Sequence, residues 1–311
     1  MMKHYSVLLQ ESIDQLAIRP DGIYVDGTLG RGGHSAEILK RISKGHLYTF
    51  DRDAYAIEES YDRLMAVGNN VTLIHSNFSN LKSELAMRGV NAIDGMVLDL
   101  GVSSPQFDEA ERGFSYRFDA PLDMRMDQSQ ELTAYMVVNE WEYQDLVRIF
   151  FQYGEESFAK QIARKIESAR KQKPIETTFE LVDVIKSALP AKILNKKGHP
   201  AKKVFQAIRI AVNDELDELQ IVLKDALDLL NVGGRLCVIS FQSLEDRMVK
   251  ETFHAYSTPK QYDKRLPLLP SDMEEANYRL VNRKPITATE EELSENMRSH
   301  SAKLRCIERV R

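Results

Sequence analysis

Ile23-Tyr24-Val25-Asp26-Gly27-Thr28-Leu29-Gly30-Arg31-Gly32-Gly33-His34-Ser35 is the stretch that decides the fold. A short apolar run ends in an acid, four glycines fall within the seven residues Gly27–Gly33, and a helix-like pattern follows. An open α/β sheet builds a nucleotide-type pocket in this way at the end of its first strand. Glycines let a ligand approach the backbone and let the turn reach positive φ. The helix start offers free N–H groups to an anionic group.

Strand and helix signals alternate outward from that loop. Ile23–Asp26, His46–Asp51, Val71–His75 and Ile93–Leu100 read as strands. His34–Ile42, Ala54–Val67 and a shorter stretch near Asn80–Met87 read as helices. The alternation predicts a mostly parallel, doubly wound sheet with helices on both faces. It stops at Gly101. From there to about Asp127 the chain reads as loop, broken by Pro105, Gly113 and Pro121, and from Leu132 to about Ser187 the apolar spacing is helical. After Val204 a long helix to about Leu230 is expected, stopped by Gly233-Gly234. A strand over Arg235–Phe241, a helix over Leu244–His254 and weaker strands over Tyr278–Val281 and Lys303–Val310 complete the pattern, with Asp263–Ala276 as loop. The predicted organisation is α/β with an inserted all-helical domain: residues 1–107 and 204–311 form the sheet domain, and 108–203 the insertion.

The chain has 311 residues, 43% hydrophobic and 29% charged, which suits a soluble globular protein. No apolar segment is long enough to cross a bilayer, and the first residues lack a signal-peptide pattern. Cys237 and Cys306 stand alone in strand-like runs and form no disulfide framework. A cytoplasmic location with no membrane partner is expected. The net charge of −5 alone argues against a polyanionic partner, but its distribution argues for one. Ala159–Ala211 carries 13 Lys/Arg against 4 Asp/Glu, which leaves −14 on the rest. The plain alternative is a solvated helical face. The seven histidines are scattered, without H-E-x-x-H or C-x-x-C, so no metal is expected. No G-x-S-x-G elbow is present.

The glycine loop admits several ligands. Gly27 and Gly32 have P-loop spacing, but Gly33 and His34 replace the Lys and hydroxyl that hold phosphates and Mg²⁺. Gly30-x-Gly32-x-x-Ser35 approximates a dinucleotide fingerprint, and Asp51 lies 21 residues after Gly30, near the acid expected on a ribose. S-adenosylmethionine sites reuse the same strand, loop and helix. Asp26 suits the cationic end of that ligand, Asp51 its ribose, and Asp99 the adenine amine or the amino group. Each acid taken singly reads equally as a helix N-cap. All three fall at predicted strand C-termini, the ligand side of an open sheet, which favours a site.

Leu98-Asp99-Leu100-Gly101-Val102-Ser103-Ser104-Pro105-Gln106-Phe107 follows the fourth strand. Ser104-Pro105-Gln106-Phe107 loosely matches the polar-Pro-aromatic segment of amino-methylating enzymes, although an ordinary Ser-Pro turn reads the same way. An exocyclic amine is a poor nucleophile because its lone pair is delocalised into the ring. Acceptors on its N–H groups favour the tetrahedral geometry that attack requires, and Phe107 is placed to stack on a flipped base. Methylation at a pyrimidine ring carbon needs a cysteine nucleophile. Cys237 and Cys306 read as small core residues, which points to nitrogen or oxygen as acceptor.

Taken together, these segments resemble the bacterial RsmH (MraW) family, methyltransferases that modify N4 of a cytosine in 16S ribosomal RNA. The resemblance runs from about His4 to Arg311. It is carried by Asp26 through Ser35, Leu98 through Gln106, Glu111-Arg112-Gly113-Phe114-Ser115 and Pro121-Leu122-Asp123-Met124-Arg125-Met126-Asp127. His199-Pro200-Ala201-Lys202, Phe205 through Asn213 and Ser243-Leu244-Glu245-Asp246-Arg247 carry the rest. The resemblance implies a class I (Rossmann-like) methyltransferase that uses S-adenosylmethionine on the decoding region of 16S rRNA, in the small subunit. It places Gly32, Gly33, His34, Asp51, Phe78, Asp99 and Gln106 on the cofactor, with Asp26 beside them. Ser103, Ser104 and Pro105 would orient the cytosine amine, and Lys160, Arg164, Lys165, Lys196, Lys197, Lys202 and Lys203 would hold phosphates. The oligomeric state stays open, a homodimer included. Gln242 stands where the family has His, and Met297 and His300 depart from its C-terminal pattern. Two other readings stand beside this one. An NAD-dependent dehydrogenase leaves Ser103–Gln106 and the basic insertion unexplained. A non-catalytic RNA-binding assembly factor has no need of an intact cofactor loop.

Overall fold

The computed structural model describes residues 6–102, 107, 109–259 and 275–311. Up to Gly101 the chain forms α1 (Leu9–Leu16), β1 (Ile23–Asp26), α2 (Gly33–Leu39), β2 (His46–Asp51), α3 (Ala54–Met65), β3 (Val71–His75), α4 (Leu81–Met87) and β4 (Ile93–Asp99). A single 3-10 turn, Phe78–Asn80, precedes α4. Next come α5 (Ala134–Glu140), α6 (Tyr143–Gln152), α7 (Ala159–Arg170), α8 (Thr178–Ser187), α9 (Ala191–Leu194) and α10 (Lys202–Asn213). The chain ends with α11 (Glu215–Leu229), β5 (Leu230–Ser240), α12 (Ser243–Ser257), β6 (Tyr278–Leu280), α13 (Glu290–Glu295) and β7 (Lys303–Arg309).

Two compact units result: Met1–Gly101 with Asp217–Arg311, and Val102–Leu216. In the first, seven strands form one sheet in the order β3-β2-β1-β4-β5-β7-β6. The first five in that order pair in parallel, and β7 runs antiparallel to both β5 and β6. Period-two alternation sorts the side chains between its faces. Val25, Met96, Leu98, Leu236 and Val238 face α4, α11 and α12 through Leu85, Leu223 and Phe253. Tyr24, Val97, Cys237, Ile239 and Leu304 face α1, α2 and α3 through Leu16, Ile38 and Leu64. Each fully buried Leu or Phe contributes about 1.5–3 kcal/mol.

Several boundaries depart from the sequence reading. The long helix expected after Val204 is two helices, because Asp214 adopts φ 49 and closes α10 with its N–H on the Ile210 carbonyl. Gly233 and Gly234 lie inside β5 rather than before it. Helix α10 belongs to the second unit, whereas the sequence division at 203/204 put it with the sheet. The reason is its apolar face: Val204, Phe205, Ile208 and Val212 join the helical core with Leu146, Phe150, Ile162 and Leu181. The sequence reading passed over α1, although Ile13 and Leu16 are buried in it. Cys237 and Cys306, isolated in sequence, sit directly across β5 and β7, with buried sulfurs 3.2 Å apart. Both thiols are free, and burial pushes Cys237 well above its usual value.

Candidate functional site

The sheet's strand order reverses at β1 and β4, and the carboxyl ends beside that point are where open α/β sheets bind ligands. Register puts Asp26 opposite Thr49 and Val97, so Asp51 and Asp99 each lie two residues further along the same edge. The loop after β1 is fastened to both neighbours. Gly30 N–H donates to Asp51 Oδ2 at 2.8 Å, and Asp99 N–H donates to Thr28 Oγ1 at 2.7 Å. Gly32 takes φ 69 to turn the loop into α2. A Cβ on Gly33 would meet the Ser6 hydroxyl, which would have to rotate away to admit it.

The buried carboxylate of Asp26 organises the loop. It accepts Ser35 Oγ–H at 2.6 Å and Thr28 N–H at 3.1 Å. Burial raises its pKa against the opposing pull of His34, and burial lowers His34 against the pull of Asp26. The His34 ring bonds the Val7 backbone, while its Nε2 is buried without a hydrogen-bond partner. Asp51 accepts from Gly30 and Asp53 N–H, yet burial still lifts it to about 6. Burial also raises Asp99 well above the usual carboxylate range, and the charges of Asp26, Glu245 and Glu292 add to the shift. Its Oδ1 is likewise buried with no hydrogen-bond partner among the described residues.

Orphaned buried polar atoms are costly, so Asp99 Oδ1 and His34 Nε2 fit a ligand that supplies polar contacts. The crowd of carboxylates fits a cationic one. S-adenosylmethionine, with its ammonium, sulfonium and ribose hydroxyls, has the matching groups. Phe78 sits in the 3-10 turn after β3, partly buried against the core. Composition and periodicity had not singled it out; the family resemblance did. Ser103, Ser104, Pro105 and Gln106 lie outside the described residues.

In the second unit the residues that carried the resemblance hold one another. Asn213 accepts Met126 N–H and donates to the Met124 carbonyl, each at 2.8 Å. Arg125 and Asp123 form a two-pronged pair, Nε to Oδ1 at 2.9 Å and Nη2 to Oδ2 at 2.8 Å. Tyr116 and His199 stack at 4.2 Å. Of the basic residues in and beside the cluster, Lys171, Lys173 and Arg209 pair with Glu167, Glu180 and Glu215. Lys160, Arg164, Lys165, Lys196, Lys197, Lys202 and Lys203 are exposed, and none forms an ion pair among the described residues. Lys203 Nζ does donate to the Glu155 carbonyl at 2.6 Å.

The departures from the family pattern are also placed. Gln242 precedes α12 and donates through Nε2 to Glu245 Oε1 at 2.9 Å. Met297 is exposed. The C-terminal tail is tied down nonetheless: Lys303 and Arg305 donate to Asp246 at 2.9 and 2.7 Å. Among the described residues no group of His, Cys, Asp and Glu is arranged to hold a metal ion, and no helix is long and apolar enough to cross a membrane.

The sheet order, the glycine loop and the three strand-end acids define a class I methyltransferase domain, with S-adenosylmethionine as methyl donor. The sequence profile of the MraW methylase family matches residues 1–310, and the chain belongs to that family. A ribosomal RNA small subunit methyltransferase H from Exiguobacterium sibiricum is 59% identical over 311 residues, spanning 100% of this chain and 99% of its own length. The same-named protein of Limosilactobacillus fermentum is 57% identical over 310 residues, spanning 99% of this chain and 98% of its own length. Among solved structures, an rRNA methylase from Streptococcus thermophilus aligns over 100% of this chain and 99% of its own, with 14% identity and a TM-score of 0.43. Membership in a methylase family leaves the dinucleotide reading of the loop without support.

Proposed function

We propose that this protein methylates N4 of a cytosine in the decoding region of 16S ribosomal RNA, acting in the cytoplasm on the small ribosomal subunit. The observation that carries the reading is end-to-end similarity, at 57–59% identity, to proteins named for methylation of small-subunit ribosomal RNA. The exposed, unpaired cations of the second unit support it, since a nucleic-acid partner needs phosphate contacts that no internal acid neutralises.

S-adenosylmethionine supplies a methyl group on a cationic sulfur. The chain's task is alignment for in-line transfer, where correct placement is worth several kcal/mol of barrier. Asp26 and Asp99 hold the amino-acid half by charge, and the loop Gly32-Gly33-His34 lies against it. Asp51 accepts from the ribose hydroxyls, each of its oxygens keeping a lone pair beyond its backbone bond. Phe78 covers the adenine, and Gln106 completes the cofactor contacts. Ser103, Ser104 and Pro105 orient the cytosine amine by accepting from its N–H groups, so that its lone pair faces the methyl donor. The bound donor would give up its methyl group as a neutral thioether, and the amine would release one proton to solvent on accepting it.

A radiolabelled methyl assay on free 16S rRNA and on small subunits, with the product nucleoside mapped, tests this. Label recovered as N4-methylcytidine is expected. Label at a ring carbon or a ribose would overturn the acceptor assignment. No transfer to either substrate would favour an assembly factor that keeps the fold without turnover.

A further inference from the structure

Helix α11 places one carboxylate where two cofactor loops need a common anchor. Glu218 Oε1 accepts from Arg52 Nη2 at 2.9 Å and, with the same oxygen, from Asn77 Nδ2. Arg52 directly follows Asp51, and Asn77 directly precedes Phe78. The Asn77 side chain is bound at both ends, because its Oδ1 accepts Ser79 N–H at 2.9 Å and so caps the 3-10 turn that presents Phe78. The ends of β2 and β3 also touch directly, through Ser76 N–H on the Asp51 carbonyl at 3.0 Å and the His75 ring on the Arg52 carbonyl at 3.2 Å. The helix beneath is packed into the core through buried Leu219, Val222 and Leu223, one to five residues beyond Glu218.

We propose that Glu218 is a positioning residue for the adenosine half of the cofactor, setting Asp51 and Phe78 at a fixed separation. This rests on the assignment of those two residues to the ribose and adenine under the proposed function. The β2–β3 ladder ends at Asp51 and His75, and the Ser76 and His75 bonds carry it one step further, but neither reaches the turn that presents Phe78. A carboxylate on a packed helix adds a link between Arg52 and the Asn77 that caps this turn. Side-chain exposures of only 16% for Arg52 and 15% for Glu218 leave the pair little screened by salt. Charge-assisted bonds of this kind are short and directional, and a site held by locked neighbours keeps its geometry. Glu218 touches no reacting atom in this scheme and acts through Arg52 and Asn77.

The test compares Glu218→Ala, Glu218→Gln and Asn77→Ser, each titrated with S-adenosylhomocysteine and with 5′-methylthioadenosine, which lacks the amino-acid half. Glu218→Ala should weaken both ligands by the same factor, about tenfold, and raise the cofactor KM similarly while kcat and the RNA KM stay within about twofold. Glu218→Gln keeps an acceptor for Asn77 and should recover part of the loss. Asn77→Ser keeps a capping hydroxyl but loses the link, and should cost about threefold. Should Glu218→Ala fail to fold, Glu218→Gln and Asn77→Ser still decide. A lowered Tm with unchanged affinity for both ligands would overturn the proposal and leave Glu218 a purely structural anchor. Loss for S-adenosylhomocysteine alone would overturn it too, since the effect would then lie in the amino-acid half. Phe78→Ala and Asp51→Asn run in parallel separate the two levels. If those leave affinity unchanged, the underlying assignment fails. If they weaken binding and the Glu218 and Asn77 variants do not, only the positioning role fails.

Discussion

Replacing Asp51 with Asn should change the pH dependence of both stability and cofactor binding, in opposite directions. Burial raises this carboxyl from 3.8 to about 6, even though it accepts from Gly30 and Asp53 N–H at 2.8 and 2.9 Å. The folded chain therefore holds the Asp51 proton more tightly than the unfolded chain does. Its contribution to stability is full below about pH 4 and is lost as pH rises through about 6. Two units at about 1.4 kcal/mol each put that loss near 3 kcal/mol as an order of magnitude. Binding runs the other way, because the ribose hydroxyls need the ionised acceptor. S-adenosylhomocysteine affinity should be flat above about pH 7 and fall by up to about tenfold per unit below about 6. In Asp51→Asn the charge is gone at every pH. Losing a charged acceptor for two hydroxyls costs about 2–4 kcal/mol, or roughly 30- to 1000-fold in affinity at pH 8. Below pH 6 the variant's binding curve should flatten, and its stability should fall less between pH 4 and 6. Calorimetric titration from pH 5 to 8, with urea unfolding from pH 4 to 8, measures both. Parallel binding curves for the two proteins, or affinities within threefold at pH 8, would refute the ribose assignment.

Three further outcomes follow from the same geometry. Gly33→Ala puts a Cβ against Ser6 Oγ, a side-chain end that can rotate away; a stability loss of no more than about 1 kcal/mol by chemical denaturation is expected. Lys160→Ala and Lys202→Ala each remove an unpaired exposed cation, and each should lower the slope of log affinity for RNA against log salt by about one, which filter binding across a salt series would read. Ala17 closes α1 at φ 49, where a Cβ is strained, so Ala17→Gly should raise stability by about 1 kcal/mol in a urea titration.

Much of the sheet was legible before any coordinates. Strands β1 and β2 match their apolar runs to the residue, and β4 differs only by one residue at its end. These are buried strands with turn signals on both sides, so period and punctuation agree. The region after Val204 was harder. Apolar spacing runs on smoothly through α10 and α11, and the break lies in one backbone angle at Asp214. An aspartate in the left-handed region is uncommon enough that residue type alone does not announce it. The three strand-end acids and the glycine loop were readable because each sits where a strand stops. Phe78 was not, because an aromatic ring after a strand reads first as core. The clamp on Arg52 and Asn77 was also beyond sequence reading, since Glu218 lies 166 and 141 residues away from them.

The sequence by itself determined the class of fold and the family, because strand period, glycine placement and strand-end acids are local properties. Tertiary structure alone decided which groups share an environment. It set Cys237 beside Cys306, raised Asp99 by burial with Asp26, Glu245 and Glu292 adding to the shift, and joined two loops through one carboxylate on α11. Burial and charge coupling depend on distances between residues far apart in the chain, and only the folded packing sets those distances.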